Sequence, residues 1–233
     1  METTAIIVAR KGSERIKAKS MLKLNGETLI TRKIKQLKAC KNIDRVILGS
    51  DCDIMLEEGI KAGAEPIKRP DYYCDEKKAS ANEMIANMSS SVKTDVIVWA
   101  HCTNPLISTK TYEKAIEKYF ENLPEFDSLL SVVELKEHLW KDNKAINYNP
   151  YAKRHTPARE LEPLYMQDGG IFIQSWENMK QNSYFFGQKP YLFQIPNDEF
   201  LDINNKRDYL LAKTVIEESN AKQNNWAHLE RKL

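Results

Sequence analysis

Between Ala9 and Ser20 five cations, Arg10, Lys11, Arg15, Lys17 and Lys19, surround a Gly12-Ser13 turn directly behind the buried-looking run Thr4–Ala9. A turn of this kind can aim backbone N–H groups at one anion while guanidinium and ammonium groups take the neighbouring oxygens in charge-assisted bonds. Phosphate is the ligand such a loop suits. The spacing is neither G-x-x-x-x-G-K-[ST] nor G-x-G-x-x-G, so a P-loop and a dinucleotide fingerprint are both excluded. A solvated basic surface is the competing reading of the same residues.

Two carboxylates stand where they could meet a metal. Asp51 follows Arg45–Ser50, at a strand end where Mg²⁺ or a ribose could be met, or where it could cap a helix over Ile54–Ala62. Asp202, in Phe200-Leu-Asp-Ile-Asn-Asn205, also precedes a helical pattern and carries the same two alternatives. Two hard oxygen donors from separate loops, with phosphates completing the shell, are a usual way to hold Mg²⁺. Arg159, with Lys153-Arg154-His155, could receive an acidic co-substrate or form an exposed charge run. His101 and His138 have no Ser or Cys arrangement around them, which argues against a hydrolase triad, and a structural imidazole is the default for each. Gly169-Gly170 suggests a close backbone approach or a plain turn at a strand start. Cys40, Cys52, Cys74 and Cys102 show neither disulfide nor zinc spacing and read as reduced structural thiols.

The elements that must position these residues follow from periodicity. β-branched runs at Ala5–Val8, Arg45–Leu48, Pro66–Lys68, Val96–Ala100 and Leu129–Val133 alternate with helical stripes at Ile30, Ile34 and Leu37, at Met84, Ile85 and Met88, and at Tyr112, Ile116 and Phe120. That rhythm predicts an α/β fold with a mainly parallel twisted sheet and helices on both faces. From Glu134 to Pro163 the periodicity stops amid prolines, aromatics and charges, an excursion suited to a lid or a subunit interface. Regular structure is expected again from Gly169–Gln174, then a helix near Trp176–Gln181, a strand near Tyr191–Ile195, a helix from Lys206 to about Glu218 and a loose or amphipathic polar tail from Ser219. In open sheets of this kind ligands sit beyond the carboxyl ends of the strands, so the loops at 10–19, 50–51 and 101–105 should share one cleft.

Composition narrows the partners. With 233 residues, 42% of them hydrophobic, the chain can bury one full core, and residues 1–233 are expected to form a single domain. A net charge of +2 argues against a nucleic-acid surface driven by bulk charge. The absence of a long apolar run and of a signal-peptide start points to a cytoplasmic protein without membrane attachment.

Taken in order, several segments resemble the acylneuraminate cytidylyltransferases, the CMP-sialic acid synthetase family that also activates related 3-deoxy-2-ulosonic acids. Ile6–Ser13 with Lys19 is similar to the family's Ala-Arg-x-Gly-Ser-Lys-x-x-x-x-Lys-Asn loop, Gly49-Ser-Asp51 to its Ser-Ser-Asp, and Lys68-Arg-Pro70 to its Leu-Arg-Pro. Ala79-Ser80 resembles its nucleotide-side serines and Thr103-Asn-Pro-Leu106 its Pro-Thr-Ser-Pro-Leu-Arg stretch. Leu164–Ile173 resembles a segment containing Asn-Gly-Ala-Ile-Tyr-Ile, and Asp202-Ile-Asn204 stands where the family has Asp-Ile-Asp. The likeness runs from Ala5 to about Lys213.

The resemblance implies CMP transfer from CTP to an acidic sugar, with Mg²⁺ as cofactor and pyrophosphate released, for surface glycan synthesis. It implies catalytic roles for Arg10, Lys19 and Asp202. Nucleotide contacts are implied for Ala9, Arg10, Gly12, Ser13, Arg15, Lys19, Ser20, Asp51, Arg69 and Ser80. Acceptor contacts are implied for His101, Thr103, Asn104, Arg159, Asp168 and Gly169, and metal ligation for Asp202 and Asn204. The excursion over 134–163 corresponds to a part that forms a homodimer, with Trp140, Tyr148 and Tyr151 as anchors. Departures are Glu14 for a phosphate-side lysine, Ser20 for asparagine, His101-Cys102 for Gln-Pro, Ile107 for arginine and Asn204 for the second aspartate. They imply a weaker metal site and an altered acceptor. A different acceptor, such as a sugar or polyol phosphate, and a non-catalytic nucleotide-binding homologue are the alternatives.

Overall fold

The computed structural model describes residues 1–12 and 16–229, with side chains described to Ser219, so Ser13, Glu14 and Arg15 of the basic loop lie outside the described residues. Seven strands form one sheet: β1 (Thr3–Ala9), β4 (Arg45–Ser50), β5 (Glu65–Lys68), β6 (Val96–Ala100), β7 (Ser128–Leu135), β10 (Leu164–Ser175) and β11 (Pro190–Gln194). Their order is β11-β7-β10-β6-β1-β4-β5. β1 pairs in parallel with both β4 and β6, β4 with β5 and β11 with β7, whereas β10 runs antiparallel between β6 and β7. The mainly parallel sheet expected from the alternation is present, with one reversed strand inside it. Two short hairpins, β2 (Lys23–Leu24) with β3 (Glu27–Thr28) and β8 (Trp140–Lys141) with β9 (Lys144–Ala145), complete the strands.

Both sheet faces are covered, which is why β1 reads as an unbroken apolar run. Ala5, Ile7 and Ala9 pack with α1 (Leu29–Lys38), α2 (Asp53–Ala62), α4 (Thr109–Glu121) and the start of α6 (Lys206–Leu229). Ile6 faces the other way, with Trp99, against α3 (Ala81–Ser90) and α5 (Trp176–Asn182). Local chemistry sets the boundaries. Thr28, Ser80, Ser108 and Ser175 each accept a backbone N–H at a helix start, Ser80 in a reciprocal capping box with Glu83, and α2 stops at Gly63, whose φ of 93° is left-handed.

Two expectations are corrected. β10 begins at Leu164, five residues before Gly169, because Leu164–Gln167 already pair with Val132–Leu135. A register shift separates Gln167 from Phe172, and this irregularity hides the strand from a period-two reading. The polar stretch from Ser219 is not a loose end, since α6 continues to Leu229.

Candidate active site

The chain runs from β1 outward to β4 and β5, then crosses to β6 on the opposite side of β1. That reversal opens a crevice at the carboxyl ends of β1 and its neighbours. A cleft of about 480 Å³ lies there, within the usual range for a small-molecule site. Its lining includes Ala9 at the end of β1, Arg10, Lys19 and Ser20 after it, Arg69 after β5, Ser80 at the start of α3, His101 and Thr103 after β6, and Asn204 before α6. The loops after β1 and β6 therefore share one cavity, whereas the loop at 50–51, expected in the same cleft, does not line it: Ser50 and Asp51 are buried and Asp51 is turned to the Lys11 backbone N–H. Tyr73, Cys74, Glu76, Ala81 and Met84 also line it, and nothing in their spacing marks them as site residues.

The cations are already engaged. Arg10 donates through Nη1 to the Cys74 carbonyl at 3.1 Å and pairs through Nη2 with Glu76 at 2.5 Å. Lys19 Nζ donates to the Ile203 carbonyl at 2.8 Å, which ties the first loop to the segment carrying Asp202. Arg69 is buried, donates to the Tyr73 carbonyl at 2.8 Å and keeps Nε without a hydrogen-bond partner among the described residues. Burial pushes its guanidinium below the ordinary value, opposed by the nearby Cys74 and Asp51. Gly49 makes this approach possible, because a Cβ there would sit 2.8 Å from the Arg69 stem and 2.7 Å from Met88 Sδ.

Asp202 is not a helix cap. Asp208 accepts the backbone N–H groups of Asn204 and Asn205 at 2.8 and 2.9 Å, and Asn205 Oδ1 accepts those of Arg207 and Asp208, which closes α6 without it. Asp202 Oδ2 instead accepts from Asn204 Nδ2 at 2.7 Å, while its Oδ1 is buried without a hydrogen-bond partner among the described residues. An unpartnered carboxylate oxygen beside a side-chain amide suits a hard divalent cation whose remaining ligands are phosphates and water. No cluster of three or more His, Cys, Asp or Glu side chains able to hold a metal occurs among the described residues, so the protein alone does not make a complete cage. Asp51 is likewise no cap: it accepts the Lys11 backbone N–H at 3.0 Å, and the N-cap of α2 is Cys52.

His101 is held from several sides. Trp99 Nε1 donates to its Nε2 at 3.2 Å, which assigns the imidazole proton to Nδ1, and the rings of Phe172 and Phe185 stand edge-on to it. Burial lowers its pKa, with Asp202 and the Gly169 backbone acting against that shift. Gly169 has φ of 77° and lies beside this ring. Three residues expected to touch an acceptor are placed differently. Asn104 and Asp168 are buried at 1% and 5% exposure behind the cleft wall, because Asn104 Nδ2 donates to the Asp168 carbonyl and Asp168 Oδ2 accepts from Gly170 N. Arg159 is exposed in a short turn over Ala158–Glu160 and does not line the cleft. Gly12 is exposed and is also outside the lining, and Ile107 is fully buried.

Behind the same wall lies Lys33, fully buried on α1 with Nζ donating to the Asn104 carbonyl and the Tyr112 hydroxyl, both at 2.8 Å. Burial lowers its pKa from 10.5 to about 7. The unfolded chain holds that proton until about pH 10.5 and the folded chain only until about 7, so between these values the unfolded state binds more protons. Stability therefore rises with pH through that window, and below about 7 the burial penalty is felt in full. Lys33 falls three residues after Ile30 in the apolar stripe of α1, and a lysine on a core-facing stripe is the signal that could have found it.

The cleft has counterparts among known proteins. A model of the family described as Cytidylyltransferase matches residues 4–228. The pseudaminic acid cytidylyltransferase of Campylobacter jejuni is 24% identical over 225 residues, covering 92% of this chain and 96% of its own length. The N-acylneuraminate cytidylyltransferase of Streptococcus agalactiae is 25% identical over 220 residues, 90% of this chain, and the match spans about half, 52%, of that relative. A solved CMP:2-keto-3-deoxy-manno-octonic acid synthetase, complexed with CTP, superposes with a TM-score of 0.65 over 94% of this chain and all of its own at 12% identity, a likeness of fold. With nearly its whole length matched by that family model, the chain belongs to the cytidylyltransferase family.

Proposed function

We propose that the protein transfers CMP from CTP to a hydroxyl of an acidic sugar, releasing pyrophosphate. The observation that carries this reading is the meeting of Arg10, Lys19, Arg69 and Asn204 in one cleft, beside a carboxylate with an unpartnered oxygen. In the reaction the acceptor oxygen bonds to the α-phosphorus, the bond from that phosphorus to the oxygen bridging to the β-phosphate breaks, and the acceptor proton leaves to solvent. The work asked of the protein is positioning and neutralisation of developing charge. Arg10 and Lys19 take the triphosphate, with Arg69 and Ser80 on the nucleoside side and His101 and Thr103 toward the acceptor. The Trp99 bond to Nε2 and the burial of the ring leave His101 neutral, a positioner of the acceptor wall and not the base. Asp202 and Asn204 are the residues that would hold Mg²⁺. Bound there, Mg²⁺ would neutralise phosphate charge and lower the pKa of the attacking hydroxyl.

Among the described residues the cleft-lining cations are Arg10, Lys19 and Arg69, and Arg159 stands away from them, so few charges remain for an anionic acceptor, and fewer for the dianion of a sugar phosphate than for a single carboxylate. A pyrophosphate-release assay with CTP, Mg²⁺ and a panel of nonulosonic acids, octulosonic acids and sugar or polyol phosphates decides the matter. Turnover is expected with a 2-keto acid sugar; turnover only with a phosphorylated acceptor moves the substrate class, and CTP binding without turnover removes the catalytic reading.

A second copy of the chain is the partner we assign to the excursion over 134–163 and the following strand. Trp140, Ile146, Tyr151, Leu164, Tyr165 and Met166 are exposed there, an apolar edge suited to burial between subunits. Sedimentation at micromolar concentration should give a dimer, and a monomer would cancel the assignment.

A further inference from the structure

Three side chains of α1 converge on one stretch of backbone. Lys33 Nζ donates to the Asn104 carbonyl at 2.8 Å, and Arg32 Nε and Gln36 Nε2 both donate to the Pro105 carbonyl, at 2.9 and 3.0 Å. The same stretch reaches two further elements. Asn104 Nδ2 donates to the Asp168 carbonyl at 3.1 Å in the irregular part of β10, and the Ile203 N–H donates to the Thr103 carbonyl at 2.9 Å beside Asp202. Packing around the bulge is tight. A Cβ on Gly170 would collide with Ile107 Cδ1 and lie 2.6 Å from Asp168 Oδ2, so the bulge cannot shift toward the loop.

A fully buried amine is a poor way to fill this space. At neutral pH it lowers stability, for the linkage reason given above, and an unbranched apolar side chain of similar length would pack without that penalty. What an apolar side chain cannot do is donate to Asn104 O and Tyr112 Oη at once. The charged and titratable groups facing the amine are Arg32 on its own helix, His101 and Cys102 in the loop after β6, Tyr112 on α4, Asp168 on β10 and Glu199 before α6.

We propose that Lys33 is a positioning residue for the acceptor: from inside the core it sets the loop His101–Pro105 and, through Asn104, the Asp168–Gly170 bulge, so that acceptor binding depends on it and nucleotide binding does not. The inference rests on the reading of His101 and Thr103 as the acceptor wall. On the nucleotide side Arg10, Arg69 and Ser80 are held by the turn over Asp71–Cys74 and by α3, outside this network, and Lys19 meets it only at Ile203, whose carbonyl accepts from Lys19 while its N–H donates to Thr103.

The test compares the 233-residue chain with its Lys33→Met variant in three measurements: steady-state kinetics with CTP and the sugar acid that supports turnover, calorimetric CTP binding, and amide hydrogen exchange. In the variant the KM for the acid should rise about ten-fold while the Kd for CTP stays within about two-fold, since one buried charged hydrogen bond is worth that much at a site it positions. In the wild type the same KM should climb by about two- to three-fold as pH rises from about 6 to about 8.5, because the neutral amine keeps two N–H donors for its two acceptors and loses only the charge assistance, and in Lys33→Met that dependence should flatten. Peptides covering 101–105 and 168–170 should exchange faster in the variant, with 45–62 unchanged. An acid KM that does not move, or a CTP Kd that rises in parallel with it, overturns the proposal. If the wild type turns over no acid, it is the transferase reading that fails, and exchange decides for Lys33: unchanged protection of both peptides overturns its positioning role, faster exchange upholds it. Should Lys33→Met not fold, Tyr112→Phe removes one of the amine's two acceptors together with the hydroxyl's own long bond of 3.4 Å to the Gly170 carbonyl, and the same pattern, weakened pH dependence included, is expected at about three-fold.

Discussion

Asp202→Ala should cut turnover by about 100-fold or more and raise the Mg²⁺ needed for half-maximal rate by about ten-fold or more, the scale seen when a group at a charge-stabilising metal site is removed. The geometry makes this change diagnostic. Asn205 and Asp208 close the start of α6 without Asp202, so its loss should leave the thermal midpoint within a few degrees of wild type. What the substitution removes is a carboxylate whose Oδ1 is buried without a hydrogen-bond partner among the described residues and whose Oδ2 is oriented by Asn204. A metal titration superimposable on the wild type, with turnover intact, would reduce Asp202 to a scaffold residue and sever the metal from this part of the cleft.

Lys19→Ala is expected to weaken CTP binding by about 10- to 100-fold, the equivalent of one charge-assisted hydrogen bond to phosphate. In the resting structure Lys19 donates to the Ile203 carbonyl, so the ammonium is held at the cleft beside the Asp202–Asn204 segment and does not swing free in solvent. The decisive comparison is between nucleotides. If Lys19 serves the outer phosphates, calorimetry should show a large loss for CTP and little for CMP, and Lys19→Arg should restore part of the CTP affinity. An equal loss for both nucleotides would mean that the substitution disturbs the cleft as a whole, and wild-type affinity would take Lys19 out of it.

Much of this arrangement is legible in the order of the amino acids. The strands at 5–8, 45–48, 96–100 and 129–133 and the helical stripes of α1, α3 and α4 are local patterns, set by which side chains must be buried every second or every third to fourth residue. The basic loop is legible as well, because five cations around a Gly-Ser turn are unusual in type and spacing. Other features are not. Asn104 and Asp168 look like acceptor contacts because they flank the cleft in sequence, but both turn inward, Asn104 to donate to the Asp168 carbonyl and Asp168 to accept the Gly170 N–H of its own segment. Arg159 carries a suitable charge in a suitable region and ends in an exposed turn. Lys33 carries its signal openly, a charge in an apolar stripe, yet what it binds lies 71 positions away in the chain.

The amino-acid sequence by itself determined the alternation of elements, which predicts a mainly parallel sheet, and the clustering of cations behind β1, since each is a pattern among residues close to one another in the chain. Tertiary structure alone decided which of those residues share a cavity: Lys19 meets Ile203 across 184 positions only because the chain reverses its strand order at β1. It also decided that Asp202 is no cap, that Asn104 and Asp168 belong to the core and that a buried lysine stands behind the cleft wall. Such contacts depend on strand order and on competition for every buried donor and acceptor, and that competition is resolved only when the whole chain is packed.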